Sequence, residues 1–251
     1  VWISSINSGI IQILDSNNGI SNIISYPSDI DGIFNIKHSI DKTFAIGCRG
    51  ECLSLESYNN EYFLIVYDGY FFNNIIDNFP VNVNNIYDVE IYQDYIYIGT
   101  DNGLLSCYID DNLLISANWH QSYQTQNIFS IINNIALSDD SFIDIINNTS
   151  YSYTDYQIEG EIVQLYDFSK DGSYYLLTTQ NMYFIDSDFL IETNITINKD
   201  SNITSNFTCA SYYLGDFYFG MFNDGIVKYD INGLYTFYSP KTLFQNKFTA
   251  I

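Results

Sequence analysis

Few residues in this chain can carry group-transfer chemistry. There are two histidines, four cysteines and one arginine, Arg49. His38 lies in a predicted strand, and His120 follows Trp119 in a predicted loop. No HxH or HExxH spacing joins them to a second ligand, so a histidine-based metal site has no sequence signal. No G-x-S-x-G elbow and no glycine-rich phosphate loop occurs. Paired carboxylates are the remaining route, because two of them can act as acid and nucleophile in glycoside hydrolysis. Asp88, Glu90, Glu161 and Asp167 are the candidates, each on or near a predicted inner strand. Turn and rim carboxylates explain them more simply. A lone Arg49 also cannot form the arginine cluster that clamps an acidic sugar.

The acidic turn Asp15-Ser16-Asn17-Asn18-Gly19 is like a calcium loop. It lacks the distal Glu and the alternating carboxylates of that motif, and hairpin-turn chemistry accounts for it. Calcium is thus the one cofactor considered, and no metal or cofactor is expected. Cys48 and Cys52 flank a predicted turn at Arg49-Gly50-Glu51, which puts their Cβ atoms within reach of a disulfide. Cys107 and Cys209 fall in predicted strands and read as small buried hydrophobes. N-x-S/T acceptor sites occur at Asn147, Asn148, Asn194, Asn202 and Asn206. So Asn-rich a chain yields about that many by chance, but their clustering points to a glycosylated flank in a secreted protein.

These residues must be held by β-structure. Tyr (24) and Phe (18) are abundant, and with isoleucine they suit pleated, half-buried surfaces. Strong helix formers are scarce, while Asn and Asp, which favour turns, are plentiful. Over 251 residues, 30 acidic side chains stand against 8 basic ones, a net charge of −22. That balance argues against nucleic acid and against an anionic membrane surface. It suits solubility outside the cell or a basic partner. The longest apolar run, Tyr62 to Tyr67, is far short of the roughly 20 residues that span a bilayer. The chain begins with neither Met nor a basic-then-apolar leader. The expectation is a removed targeting segment or a fragment of a longer protein.

A repeat runs the length of the chain: an aromatic or aliphatic strand, a tight turn usually bearing Gly, then a second strand. It reads Val1-Trp2-Ile3-Ser4 with a turn at Asn7-Ser8-Gly9, then Phe44-Ala45-Ile46-Gly47 with a turn at Arg49-Gly50. The clearest copy is Tyr95-Ile96-Tyr97-Ile98-Gly99 with a turn at Asp101-Asn102-Gly103. Later copies centre on Asp144, Leu177 and Gly220. The step of about 43 residues matches a four-stranded propeller blade, about 40–45 residues.

The segment Ile96-Tyr97-Ile98-Gly99-Thr100-Asp101-Asn102-Gly103-Leu104 resembles the β-propeller superfamily. The likeness is to WD40-like repeats and to two-component-regulator propeller repeats, whose aromatic-aliphatic-Gly-Thr strand precedes a Gly-Leu turn. Trp2 matches the aromatic position. The expected fold is all-β, a single domain over residues 1–251. It is a six-bladed propeller, with seven blades as the alternative, of four-stranded antiparallel blades. Closure is expected by pairing of the C-terminal strand, Phe248 to Ile251, beside Val1 to Ser4, which removes open sheet edges. The resemblance implies a non-enzymatic protein-interaction platform. The expected setting is an extracellular or cell-surface assembly, with an intracellular scaffold subunit as the alternative and a carbohydrate-active enzyme or lectin behind both. Partners are expected to be proteins, with no nucleic acid and no membrane insertion. The turn between second and third strands is the expected binding face, with Arg49, Glu51, Asp101 and Asp224. The stretch Trp119 to Gln126 adds Trp119, His120 and Tyr123 as aromatic anchors.

Overall fold

A computed structural model describes residues 2–5, 9–15, 20–24, 30–39, 42–50, 61–67, 72–154, 156–168, 172–196, 206–221, 225–230 and 232–238. Glu51, Cys52, Asn202, Asp224 and the expected closing strand Phe248 to Ile251 lie outside them, as does the side chain of Asn194. The described strands run in chain order. The first three are β1 (Trp2–Ser5), β2 (Gly9–Asp15) and β3 (Ile20–Ile24), which form a three-stranded sheet. The first four-stranded blade is β4 (Gly32–His38), β5 (Thr43–Arg49), β6 (Glu61–Tyr67) and β7 (Phe72–Ile76). The second is β8 (Ile86–Tyr92), β9 (Tyr95–Thr100), β10 (Gly103–Tyr108) and β11 (His120–Ser122). The third is β12 (Ile128–Ile132), β13 (Ile135–Ser138), β14 (Ser141–Asp144) and β15 (Thr149–Ser152). The fourth is β16 (Ile162–Tyr166), β17 (Tyr174–Thr178), β18 (Asn181–Ile185) and β19 (Ile191–Thr196). The fifth is β20 (Phe207–Tyr213), β21 (Asp216–Met221), β22 (Gly225–Tyr229) and β23 (Tyr235–Tyr238).

The blade count corrects the sequence reading. Among the described residues, five blades of four strands are present, not six and not seven. Counting Gly-bearing hairpins counts pairs of middle strands and not completed blades. The hairpin around Ser4 belongs to the three-stranded sheet. The class, all-β with antiparallel four-stranded blades, stands.

Second strands such as β5, β9 and β13 are buried on both faces, so they read as apolar runs rather than strict alternation. Strand β9, Tyr-Ile-Tyr-Ile-Gly-Thr, is exposed only at Tyr95. Its turn is set by Thr100, whose Oγ1 donates to Gly103 O at 2.7 Å and accepts the Asn102 N–H at 3.0 Å. Gly103 then takes φ +97°, a region glycine enters without steric cost. Thr178 closes the β17–β18 turn in the same way, accepting the Asn181 N–H at 2.9 Å.

Each blade's first strand carries one irregularity at the same place. The register against the second strand shifts between Phe34 and Ile36, Ile86 and Asp88, Ile128 and Ser130, Ile162 and Gln164, and Phe207 and Cys209. Such bulges add one residue, bend the strand and re-aim the side chains around it.

Two compact units compose the chain, Val1–Asp139 and Asp140–Ile251. In the first, a core joins Phe44, Leu64, Val89, Ile98, Leu105 and Trp119 across two blades. In the second, Leu177, Met182, Phe207, Phe219, Met221 and Val227 do the same.

Candidate functional site

The turns between second and third strands are built by carboxylates bound to their own blade. Asp101 accepts from the Asn84 N–H (3.0 Å), the Asn84 side-chain amide (2.8 Å) and the Asn85 N–H (3.2 Å). Asp139 grips Asn127 similarly, through its N–H at 3.0 Å and its amide at 3.0 Å. Each clamp ties the residue after the second strand to the chain entering the first. Next to Asp101, Gln121 Nε2 donates to Asn102 O at 2.7 Å, and the Gly103 N–H donates to Gln126 O at 2.8 Å. Tyr123, half-buried with φ +51°, stands beside the Asp101 turn. Arg49 pairs with Glu61 at 3.4 Å and lies 5.0 Å over the Phe63 ring.

Trp119 is not an interface anchor. It is 3% exposed, donates Nε1–H to Leu113 O at 2.9 Å, and meets Phe79 edge-on at 5.4 Å. The sequence reading took Trp119 to Gln126 as one loop. Residues His120–Ser122 instead form β11, which leaves Trp119 in the connection between third and fourth strands, folded into the core. His120 is exposed on β11 opposite Ser106.

The acceptor asparagines separate by setting. Asn147 and Asn148 lie exposed in the β14–β15 turn, where the Asn147 amide donates to Asp144 Oδ2 at 2.8 Å. Asn206 is exposed before β20. Cys48 is wholly buried and disulfide-bonded. Cys107 and Cys209 are free and buried. Burial pushes both thiols up, Cys107 to about 11 with Asp111 adding to the rise.

Acidic turns bind backbone. Asp186 Oδ1 accepts the N–H groups of Asp188 and Leu190 at 2.9 and 2.8 Å, and Asp230 Oδ1 accepts those of Asn232 and Leu234, both at 2.9 Å. Among the described residues, no group of three or more His, Cys, Asp or Glu side chains converges to hold a metal ion.

A charged network on the inner strands of the first unit was only half visible in the sequence. Asp88, on β8, is buried directly after the bulge. Its Oδ1 accepts from the Asn35 amide on β4 and from the Val89 N–H (2.8 Å). Its Oδ2 accepts from Ser130 Oγ (3.1 Å) and the Ile131 N–H (2.6 Å) on β12. One carboxylate thus ties three consecutive first strands. Two residues on, Glu90 receives Lys37 Nζ of β4 at 2.8 Å. Burial raises the Asp88 carboxyl to about 6, against the Lys37 charge and the Ile131 and Asn35 hydrogen bonds, with Glu90 adding to the rise. For Lys37, burial works to lower the pKa, yet Asp88 and Glu90 outweigh it and the net shift is upward. Asp88 and Glu90 were named as carboxylates; Asn35, Lys37 and Ser130 were missed. The available signal was polar residues at alternate positions in otherwise apolar strands, where a buried polar group is the informative one. Glu161 is exposed and Asp167 half-buried in the second unit.

No protein-family model matches the chain, and no curated protein matches it. Solved structures do. The extracellular domain of BT4673 from B. thetaiotaomicron aligns with a TM-score of 0.67 at 13% identity, over 99% of this chain and 36% of that one. The chain thus spans about a third of that domain's length. YCF48 bound to D1 peptide aligns with a TM-score of 0.61 at 11% identity, over 94% and 76%. Sqt1 from Saccharomyces cerevisiae aligns with a TM-score of 0.57 at 8% identity, over 94% and 70%. Among the described residues, no helix is long and apolar enough to cross a membrane. The repeated bulged blades and these likenesses make the chain a β-propeller, with five four-stranded blades among the described residues.

Proposed function

We propose that the chain is a non-enzymatic protein-interaction platform in an extracellular or cell-surface assembly. The observation that carries this reading is the lifting of large apolar side chains into solvent on hairpin tips of packed blades, with Leu214 83% exposed. Exposed apolar side chains on a rigid scaffold are what an interface uses. The carboxylates best placed for chemistry are otherwise engaged, Asp88 by four donors and Glu90 by Lys37. YCF48, similar in fold, was solved with a bound peptide. Arg49, Asp101, His120 and Tyr123, all in the first unit, are further candidate partner contacts.

The extracellular setting is supported by the Cys48 disulfide, a bond that oxidising compartments favour. We assign its partner as Cys52. The exposed acceptor sites Asn147, Asn148 and Asn206 and the likeness to an extracellular domain point the same way. Intact mass from the native source, before and after reduction with thiol labelling, tests the compartment. Sugar-sized added mass, or a thiol pair labelled only after reduction, is the expected result. A bare polypeptide with four freely labelled thiols overturns it. Photo-crosslinking residues placed at Leu214 and at Tyr123 in the producing cell test the platform. A discrete protein adduct at either is expected, and none at both overturns the reading.

A further inference from the structure

In an antiparallel four-stranded blade, the turn after the first strand and the turn after the third lie at one end. In the fourth and fifth blades, that end is where apolar side chains leave the protein. Leu190 (51% exposed) sits in the β18–β19 turn, Tyr213 (64%) and Leu214 (83%) at the β20–β21 turn, and Leu234 (65%) in the β22–β23 turn.

The tips are built rather than frayed. Leu190 and Leu234 each stand four residues after an aspartate, Asp186 and Asp230, whose Oδ1 holds the leucine's own N–H at 2.8 and 2.9 Å. The leucine backbone is therefore pinned while its side chain is left in water. Leu214 occupies left-handed backbone, φ +52°, a conformation disfavoured for a γ-branched residue and ordinarily given to glycine. Its neighbour Gly215 also has positive φ. The two blades beneath share a core, the Tyr166 hydroxyl accepts the Ala210 N–H at 2.9 Å, and Phe168 lies against Tyr212 and Phe217 at 6.0 and 5.9 Å. The exposed leucines thus rest on one continuous base.

Charge selects the occupant. Among the described residues at this end, Asp167, Asp186, Asp188, Asp216 and Asp230 stand against one cation, Lys228, which is already paired with Asp216 at 2.7 Å. A second copy of the chain would bring the same acidic end and the same excess of negative charge. A segment carrying both apolar and cationic side chains would cover the leucines and offset the aspartates.

We propose that this end of the fourth and fifth blades docks a short basic, amphipathic segment of a partner protein, in which leucine-sized side chains alternate with lysine or arginine. The proposal rests on the platform reading and specifies its face and its partner's chemistry.

The probe is a fluorescent twelve-residue peptide alternating Leu and Lys, titrated onto the full chain and read by anisotropy. Two control peptides carry Ser in place of Leu, or Glu in place of Lys. The Leu–Lys peptide is expected to bind saturably and both controls to fail. The double variant Tyr213→Ser with Leu214→Ser should weaken binding about tenfold at unchanged melting temperature, because both side chains are solvent-exposed. Equal binding of the Ser–Lys peptide would reduce the effect to bulk charge and overturn the proposal. So would unchanged affinity in the double variant, or a concentration-dependent dimer that this variant abolishes. Binding lost instead in Tyr123→Ser would move the site to the first unit and overturn this inference while leaving the platform reading intact. Absence of crosslinked adducts in the cell defeats the platform itself.

Discussion

The Asp88 carboxylate, on the first strand of one blade, accepts the backbone N–H of Ile131, on the first strand of the next, at 2.6 Å. Backbone that would otherwise be buried between two sheets is satisfied by a side chain of the neighbouring sheet. Together with Asn35 and Ser130, this makes Asp88 a tie across three blades.

Removing the tie should be costly. Asp88→Ala strands four donors and leaves a cavity, a loss of about 3 kcal/mol at mildly acidic pH. Because burial raises Asp88 from 3.8 to about 6, the folded chain keeps this proton where the unfolded chain has lost it. The stability from this group is greatest below about pH 4 and falls as pH rises through about 6. Urea unfolding at about pH 5 and about pH 7 should show the gap between wild type and Asp88→Ala narrowing by about 1 kcal/mol. A carboxyl NMR titration with a midpoint below the unfolded value would sink this account.

Gly99 marks the place where two blades meet backbone to backbone. A Cβ there would lie 2.4 Å from Ile128 O, and a carbonyl of a paired strand cannot move aside. Gly99→Ala should cost about 2–3 kcal/mol. Gly215→Ala offers the contrast. Nothing lies within 4 Å of its Cβ, but φ is +93°, so about 1 kcal/mol of backbone strain is expected. Similar losses at both positions would refute the close-approach argument.

Trp119→Ala should lower stability by about 3–5 kcal/mol, since the indole fills the core beside Phe79. His120→Ala, at an exposed position one residue on, should stay within about 0.5 kcal/mol of wild type. Chemical denaturation of the two variants separates them. A neutral Trp119→Ala would return the side chain to the list of binding residues.

Thiol counting checks the cysteine assignment. Cys107 and Cys209 are free, buried and shifted up, so both should alkylate slowly in the folded chain, where little thiolate forms. Unfolding without reductant should release two reactive thiols, and reduction two more. Four reactive thiols in the unfolded, unreduced chain would exclude the Cys48 bridge.

Local signals were readable because they depend on short stretches of chain. The turn Thr100-Asp101-Asn102-Gly103 needs a hydroxyl cap and a residue tolerant of positive φ, and four adjacent positions state both. The apolar run of β9 announces a strand buried on both faces. All-β class and four-stranded blades follow from such stretches and their spacing. Spacing does not state the number of blades, since a hairpin such as that around Ser4 looks the same in a three-stranded sheet as in a four-stranded one. Nor could Trp119 be placed. Its fate depended on whether His120 to Ser122 paired with β10, and three residues are too few for a pattern to show. The Asn35–Asp88–Ser130 tie joins residues about forty to fifty positions apart, and only the packing of β8 between β4 and β12 brings their polar atoms together. Sequence by itself determined the strands, the turns and the acidic balance, which are local or additive. Which polar groups are buried together, and which end of a blade lifts its leucines into water, were decided by the tertiary structure, because both depend on neighbours that sequence distance hides.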